Sequence, residues 1–72
     1  MKIRVNTRTL HLFDGACVKN ALLRYFTVKK LDKQFIDGLE VHDSTGHVID
    51  HDAPLGDGQQ ITFDITGIRK SL

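Results

Sequence analysis

The 72 residues hold one cysteine, one proline, one tyrosine and no tryptophan. The lone Cys17 excludes an intramolecular disulfide and any multi-cysteine zinc or iron–sulfur site. No apolar run is longer than three residues, far short of the roughly 20 that a membrane span requires. Met1-Lys2-Ile3-Arg4-Val5 has no apolar h-region. The expectation is therefore a cytoplasmic protein without a secretory signal. What is present is ordinary for a folded chain: 40% hydrophobic and 26% charged residues, which excludes disordered and collagen-like classes. A chain of this length has room for one small core, so a single domain over 1–72 is expected.

The net charge of +1 hides an asymmetry. Residues 1–36 carry eight Lys/Arg against Asp14 and Asp32, a balance of +6. Residues 37–72 carry Arg69 and Lys70 against seven carboxylates, a balance of −5. Two readings stay open: the halves of one fold attract each other, or the dipole steers a protein partner. Nucleic acid is not expected as a partner, because the basic residues are spread out and no aromatic stacking set accompanies them.

Alternation gives the first elements. Lys2 to Asn6 alternates polar and apolar, Asn6-Thr7-Arg8 makes a turn, and Thr9 to Phe13 alternates again, so the chain opens on a β-hairpin. Ile3, Val5, Leu10 and Leu12 share its inward face, which leaves His11 and Phe13 outward. From Ala16 to about Thr27, Val18, Leu22, Tyr25 and Phe26 recur at helical spacing with Ala21 beside them. Asp14 is the expected N-cap. Residues 28–38 allow either a second helical turn on Leu31 and Phe35 or an irregular connector, ended by Gly38. Leu39–Asp43 and His47–Asp50 flank a loop with Gly46, a second hairpin. Leu55 is an isolated apolar anchor. Asp57-Gly58 turns into a last strand, Gln59–Thr66, with Ile61, Phe63 and Ile65 on one face. Residues 67–72 are expected to be a mobile tail. The order ββαβββ predicts an α+β fold, a mixed sheet of four to five strands with one packed helix: the β-grasp, or ubiquitin-like, arrangement.

Ile3-Arg4-Val5-Asn6, Gly15-Ala16-Cys17-Val18 with Leu22-Leu23, and Leu55-Gly56-Asp57-Gly58-Gln59-Gln60-Ile61 together resemble the small sulfur carriers of thiamine and molybdopterin biosynthesis (ThiS/MoaD type). The resemblance runs from residue 2 to about residue 66. It implies a protein partner, an adenylating or sulfur-transfer enzyme, bound through the sheet face opposite the helix. Phe13, Gln60, Thr62 and Thr66 are the expected partner surface. In that family the chemistry resides in a C-terminal Gly-Gly, whose carboxylate becomes a thiocarboxylate. Here Gly67 matches one glycine, Ile68 stands in place of the second, and four residues follow. The expected function is thus a non-catalytic ThiS/MoaD-like partner-binding module, with no enzyme activity of its own. The alternative is a working sulfur carrier, activated once its tail is trimmed to Gly67.

Two further clusters carry ligand-type side chains. His42, His47 and His51 are interleaved with Asp43, Asp50 and Asp52, a set that suits a divalent metal. Their spacing fits a solvated polar face better, so neither metal nor cofactor is expected. Cys17 lies near a helix start, a position where a helix dipole can favour a thiolate. Without a second cysteine or an adjacent histidine it reads as a small, buried or half-buried residue of the helix entry.

Overall fold

The computed structural model describes residues 1–68. Strands β1 (Lys2–Val5) and β2 (Arg8–His11) form the opening hairpin and helix α1 spans Val18–Lys29. A 3₁₀ turn covers Lys33–Phe35, and strands β3 (Val41–Asp43), β4 (Val48–Ile49) and β5 (Gln60–Thr62) follow. The five strands make one mixed sheet in the order β2-β1-β5-β3-β4. Only β1 and β5 are parallel; the other pairs are antiparallel. The expected α+β architecture of one helix and one mixed sheet is therefore present.

The helix covers one face of that sheet. Val18, Ala21, Leu22, Tyr25 and Phe26, the residues at helical spacing, are all buried. They meet Ile3, Val5, Leu10, Val41, Ile61 and Phe63 in one core cluster. Tyr25 and Phe63 pack edge to face, with ring centroids 5.2 Å apart at 89°, the arrangement the ring quadrupoles favour.

Several boundaries differ from the sequence expectation, each for a local reason. Cys17, not Asp14, is the N-cap. The Asn20 carboxamide oxygen turns back to accept from the Cys17 backbone N–H at 2.9 Å and from its thiol at 3.2 Å. This satisfies the helix start as an N3 side chain does in a capping box. Asp14 stands outside the helix, 3.6 Å from the Met1 amino group. At the other end Lys30 takes a left-handed conformation, φ 57°. Its N–H reaches Thr27 O, and the Leu31 N–H reaches Phe26 O at 2.8 Å, a Schellman closure that buries Leu31. Of the two options for residues 28–38, a single helical turn is formed. Asp32 caps it by accepting from the Gln34 N–H. Its buried anchors are Leu31 and Ile36, whereas Phe35 is only partly buried.

The last strand is shorter than its alternation suggests. β5 ends at Thr62 because the Phe63 N–H donates to the Asn6 side-chain oxygen at 3.0 Å instead of to a strand. Its start is held by the turn before it. Asp57 Oδ1 accepts from the Lys2 N–H at 2.7 Å, and Lys2 O accepts from the Gly58 N–H at 2.7 Å. The Leu55–Ile61 segment thereby lays β5 beside β1.

Candidate functional site

Strand parity assigns the uncovered face. Ile3, Val5, Leu10 and Ile61 point to the helix and are buried, so Lys2, Arg4, Thr9, His11, Gln60 and Thr62 point away from it. The ladder register sets Arg4 between Thr9 and Gln60, and Thr62 beside His42, which in turn faces Val48. Val48 is 61% exposed. The face is basic where β1 and β2 lie and acidic toward the β3 end, where Glu40 and Asp64 border Thr62 in a shallow depression of about 510 Å³. Glu40 holds the His42 ring, with Oε1 3.3 Å from Nε2.

The four expected partner-surface residues occupy three places. Gln60 and Thr62 share the centre of the uncovered face. Phe13, 63% exposed, lies beyond the end of β2 and lines a groove against α1 with Leu23, Arg24 and Thr27. Thr66 lies past the end of β5 in a third depression, beside Phe35 and Ile68. Parity carried through the end of each strand had put them together; the chain turns before it reaches Phe13 and Thr66. Lys2 and Arg4 belong to the same face as Gln60 and are not among the expected partner-surface residues; His42, expected only as a member of the histidine cluster, lies there too. The signal was there in the alternation of the first hairpin.

Gly67 sits in a closed turn with φ 84°, a left-handed backbone that glycine adopts freely. The Ile68 N–H returns to Ile65 O at 3.1 Å, and Ile68 packs against the core. Asp64 accepts from the Thr66 N–H at 2.8 Å. The Thr66 hydroxyl and N–H together hold the Asp64 carboxyl below its ordinary 3.8. The remainder of the expected tail, 69–72, lies outside the described residues.

The three histidines of the second hairpin are engaged separately. His51 Nε2 donates to Leu39 O at 2.7 Å, and its own carbonyl accepts from the Lys19 N–H. It is thus a staple between α1 and the segment before β3, not part of a solvated face. His47 Nδ1 lies 2.8 Å from the Thr45 hydroxyl, which donates to Asp43 at 2.7 Å. Thr45 through its hydroxyl, and the His47 and Thr45 N–H groups, hold the Asp43 carboxyl below 3.8. Among the described residues no three His, Cys, Asp or Glu side chains gather at metal-binding geometry. Cys17 is half-buried, its thiol turned to Asn20.

The charge asymmetry does not resolve into ion pairs between the halves. Among the described residues the pairs are Met1 amine–Asp14, His42–Glu40 and His47–Asp43, each within one half of the chain. The halves are joined by the apolar core instead. No described helix is long and apolar enough to cross a membrane. Comparison with protein-family models, with curated proteins and with solved structures gives no match.

Proposed function

We propose that the chain is a β-grasp domain of the ThiS/MoaD kind that serves as a non-catalytic partner-binding module. The observation that carries this reading is the sheet: order β2-β1-β5-β3-β4 with β1 and β5 parallel and a single helix on one face. That architecture leaves Arg4, Gln60, Thr62 and His42 together on an uncovered face graded from basic to acidic. Such a face recognises a protein surface of complementary charge pattern. An adenylating or sulfur-transfer enzyme is the partner that the resemblance suggests. The closed turn at Gly67 favours docking without chemistry: a carrier terminus must be extended to enter an adenylating site, and here Ile68 is packed against the core.

The test is to mix the ¹⁵N-labelled full chain with an adenylating enzyme of the thiamine or molybdopterin type and ATP. The expected result is a shift of the Arg4, Gln60 and Thr62 amide signals with no change in the mass of the chain. Signals on that face that stay fixed would remove the reading. An acyl-adenylate or thiocarboxylate on the untrimmed chain would replace it with the sulfur-carrier function.

A further inference from the structure

A second surface lies at the β2 edge of the sheet; it adjoins the face used above at Lys2 and Arg4 but does not depend on that reading. Because β2 is the outermost strand, one side of it has no neighbour. The hairpin register fixes which groups face that way. Met1 and Leu12 exchange hydrogen bonds, the Leu12 N–H to Met1 O at 2.8 Å and the Met1 amine to Leu12 O. The bonded pairs alternate along the ladder, so Leu10 and Arg8 also turn their amide groups to β1. Thr9 and His11 therefore turn theirs outward, and no other group among the described residues bonds to them. Two N–H and two C=O groups, about 7 Å apart along the strand, stand ready for an added strand.

The groove of about 450 Å³ between β2 and α1 runs directly beside them, with Phe13, Leu23, Arg24 and Thr27 in its walls. Phe13 and Leu23 are two of the four large hydrophobic side chains left exposed among the described residues. The charge around the strip is mainly positive: Arg8 and Arg24 border it, and Lys2 and Arg4 lie on the adjoining face. Asp14 is the nearby carboxylate, and it lies against the Met1 amino group.

We propose that the β2 edge binds an extended peptide of alternating apolar and acidic residues, which adds to the sheet as a sixth strand. Strand alternation dictates the pattern. Every second side chain enters the groove against Phe13 and Leu23, and those between lie on the uncovered face beside Lys2, Arg4 and His11. A second copy of this chain is the poorer occupant. Two β2 edges would bring like charges together, and β4 offers only two residues, Val48 and Ile49.

The probe is the capped heptapeptide Glu-Val-Glu-Val-Glu-Val-Glu, titrated into the ¹⁵N-labelled full chain. Expected are shifts and slowed exchange of the Thr9 and His11 amides, with no binding of the Lys-Val counterpart. Arg24→Glu should weaken binding about tenfold. Phe13→Ala, an exposed position whose change leaves the fold intact, should weaken it as well. The proposal fails if the Lys-Val peptide binds equally, or if the shifts fall on Gln60 and Thr62 and spare Thr9 and His11. It also fails if Thr9 and His11 respond to protein concentration alone, since the edge then serves self-association.

Discussion

At one edge of the sheet, β2 runs four residues against β1 and is held by main-chain bonds and by buried Leu10. At the other, β4 is two residues long, and one side chain reinforces the main-chain bonds of its hairpin. Asp43 Oδ1 accepts from the Thr45 N–H, the Thr45 hydroxyl and the His47 N–H within 3.0 Å. The first edge is basic and the second acidic. A short strand with little apolar area to bury needs a turn that fixes itself, and an Asp at its start supplies one. A longer strand on the core needs less help from its turn. The contrast divides the molecule into a part whose stability comes from burial and a part whose local order comes from side-chain hydrogen bonds.

The largest expected effect tests whether the two parts share one core. Leu22 is fully buried in the core that α1 shares with the sheet. Leu22→Ala should cost about 2–5 kcal/mol, much of the ~4–11 kcal/mol available to a domain of this size. Chemical denaturation followed by circular dichroism reads the loss. A melt left unchanged would mean that α1 does not close this core.

Next in size is the tie between the hairpin and β5. Asn6 takes φ 55°, and its side-chain oxygen is the acceptor for the Phe63 N–H. Asn6→Ala leaves that part-buried N–H unpaired and puts an alanine in a left-handed turn, a loss of about 1–3 kcal/mol. Asn6→Asp keeps both an acceptor and a residue tolerant of that backbone, and should retain most of the stability. Equal losses in the two variants would assign the effect to something other than the Phe63 bond.

These two predictions also mark what was legible in the sequence. The Val18–Phe26 stripe and the alternation in Lys2–Val5 are set by burial, and periodicity reports burial directly. The end of β5 and the His51 staple depend on a few hydrogen bonds between residues 12 to 57 positions apart. Nothing in local spacing encodes those. The candidate surface was legible in part for the same reason: Gln60 and Thr62 lie inside a strand where parity holds, whereas Phe13 and Thr66 lie past strand ends where it does not.

Asp43→Ala then tests the second edge. The bonds it removes lie at the surface, so the global melt should move little while the hairpin loosens. Amide exchange at Thr45 and His47 should quicken, and Thr9–His11 should exchange as before. Quickening spread evenly over the sheet would show that the two edges are not independent.

The smallest effect concerns protons. Asp43 and Asp64 both accept hydrogen bonds from a threonine hydroxyl and from backbone N–H groups, which favour the ionised carboxyl. Their folded-state pKa values therefore lie below the ordinary 3.8. A carboxyl depressed by folding supports the fold fully above its unfolded pKa, and that support is lost as pH falls through the folded value. Both contributions are thus complete at pH 5 and above and fade below the ordinary carboxylate range. Both groups lie at the surface, where water screens the interaction, so the change in global stability is expected to be slight and the titration itself is the readout. Carboxyl-detected NMR should place both midpoints under 3.8. Thr45→Val should raise the Asp43 midpoint alone, and Thr66→Val that of Asp64 alone. A threonine exchange that moved both would mean that the β3–β4 turn and the turn before Gly67 are coupled. The second edge would then extend through the end of the described chain.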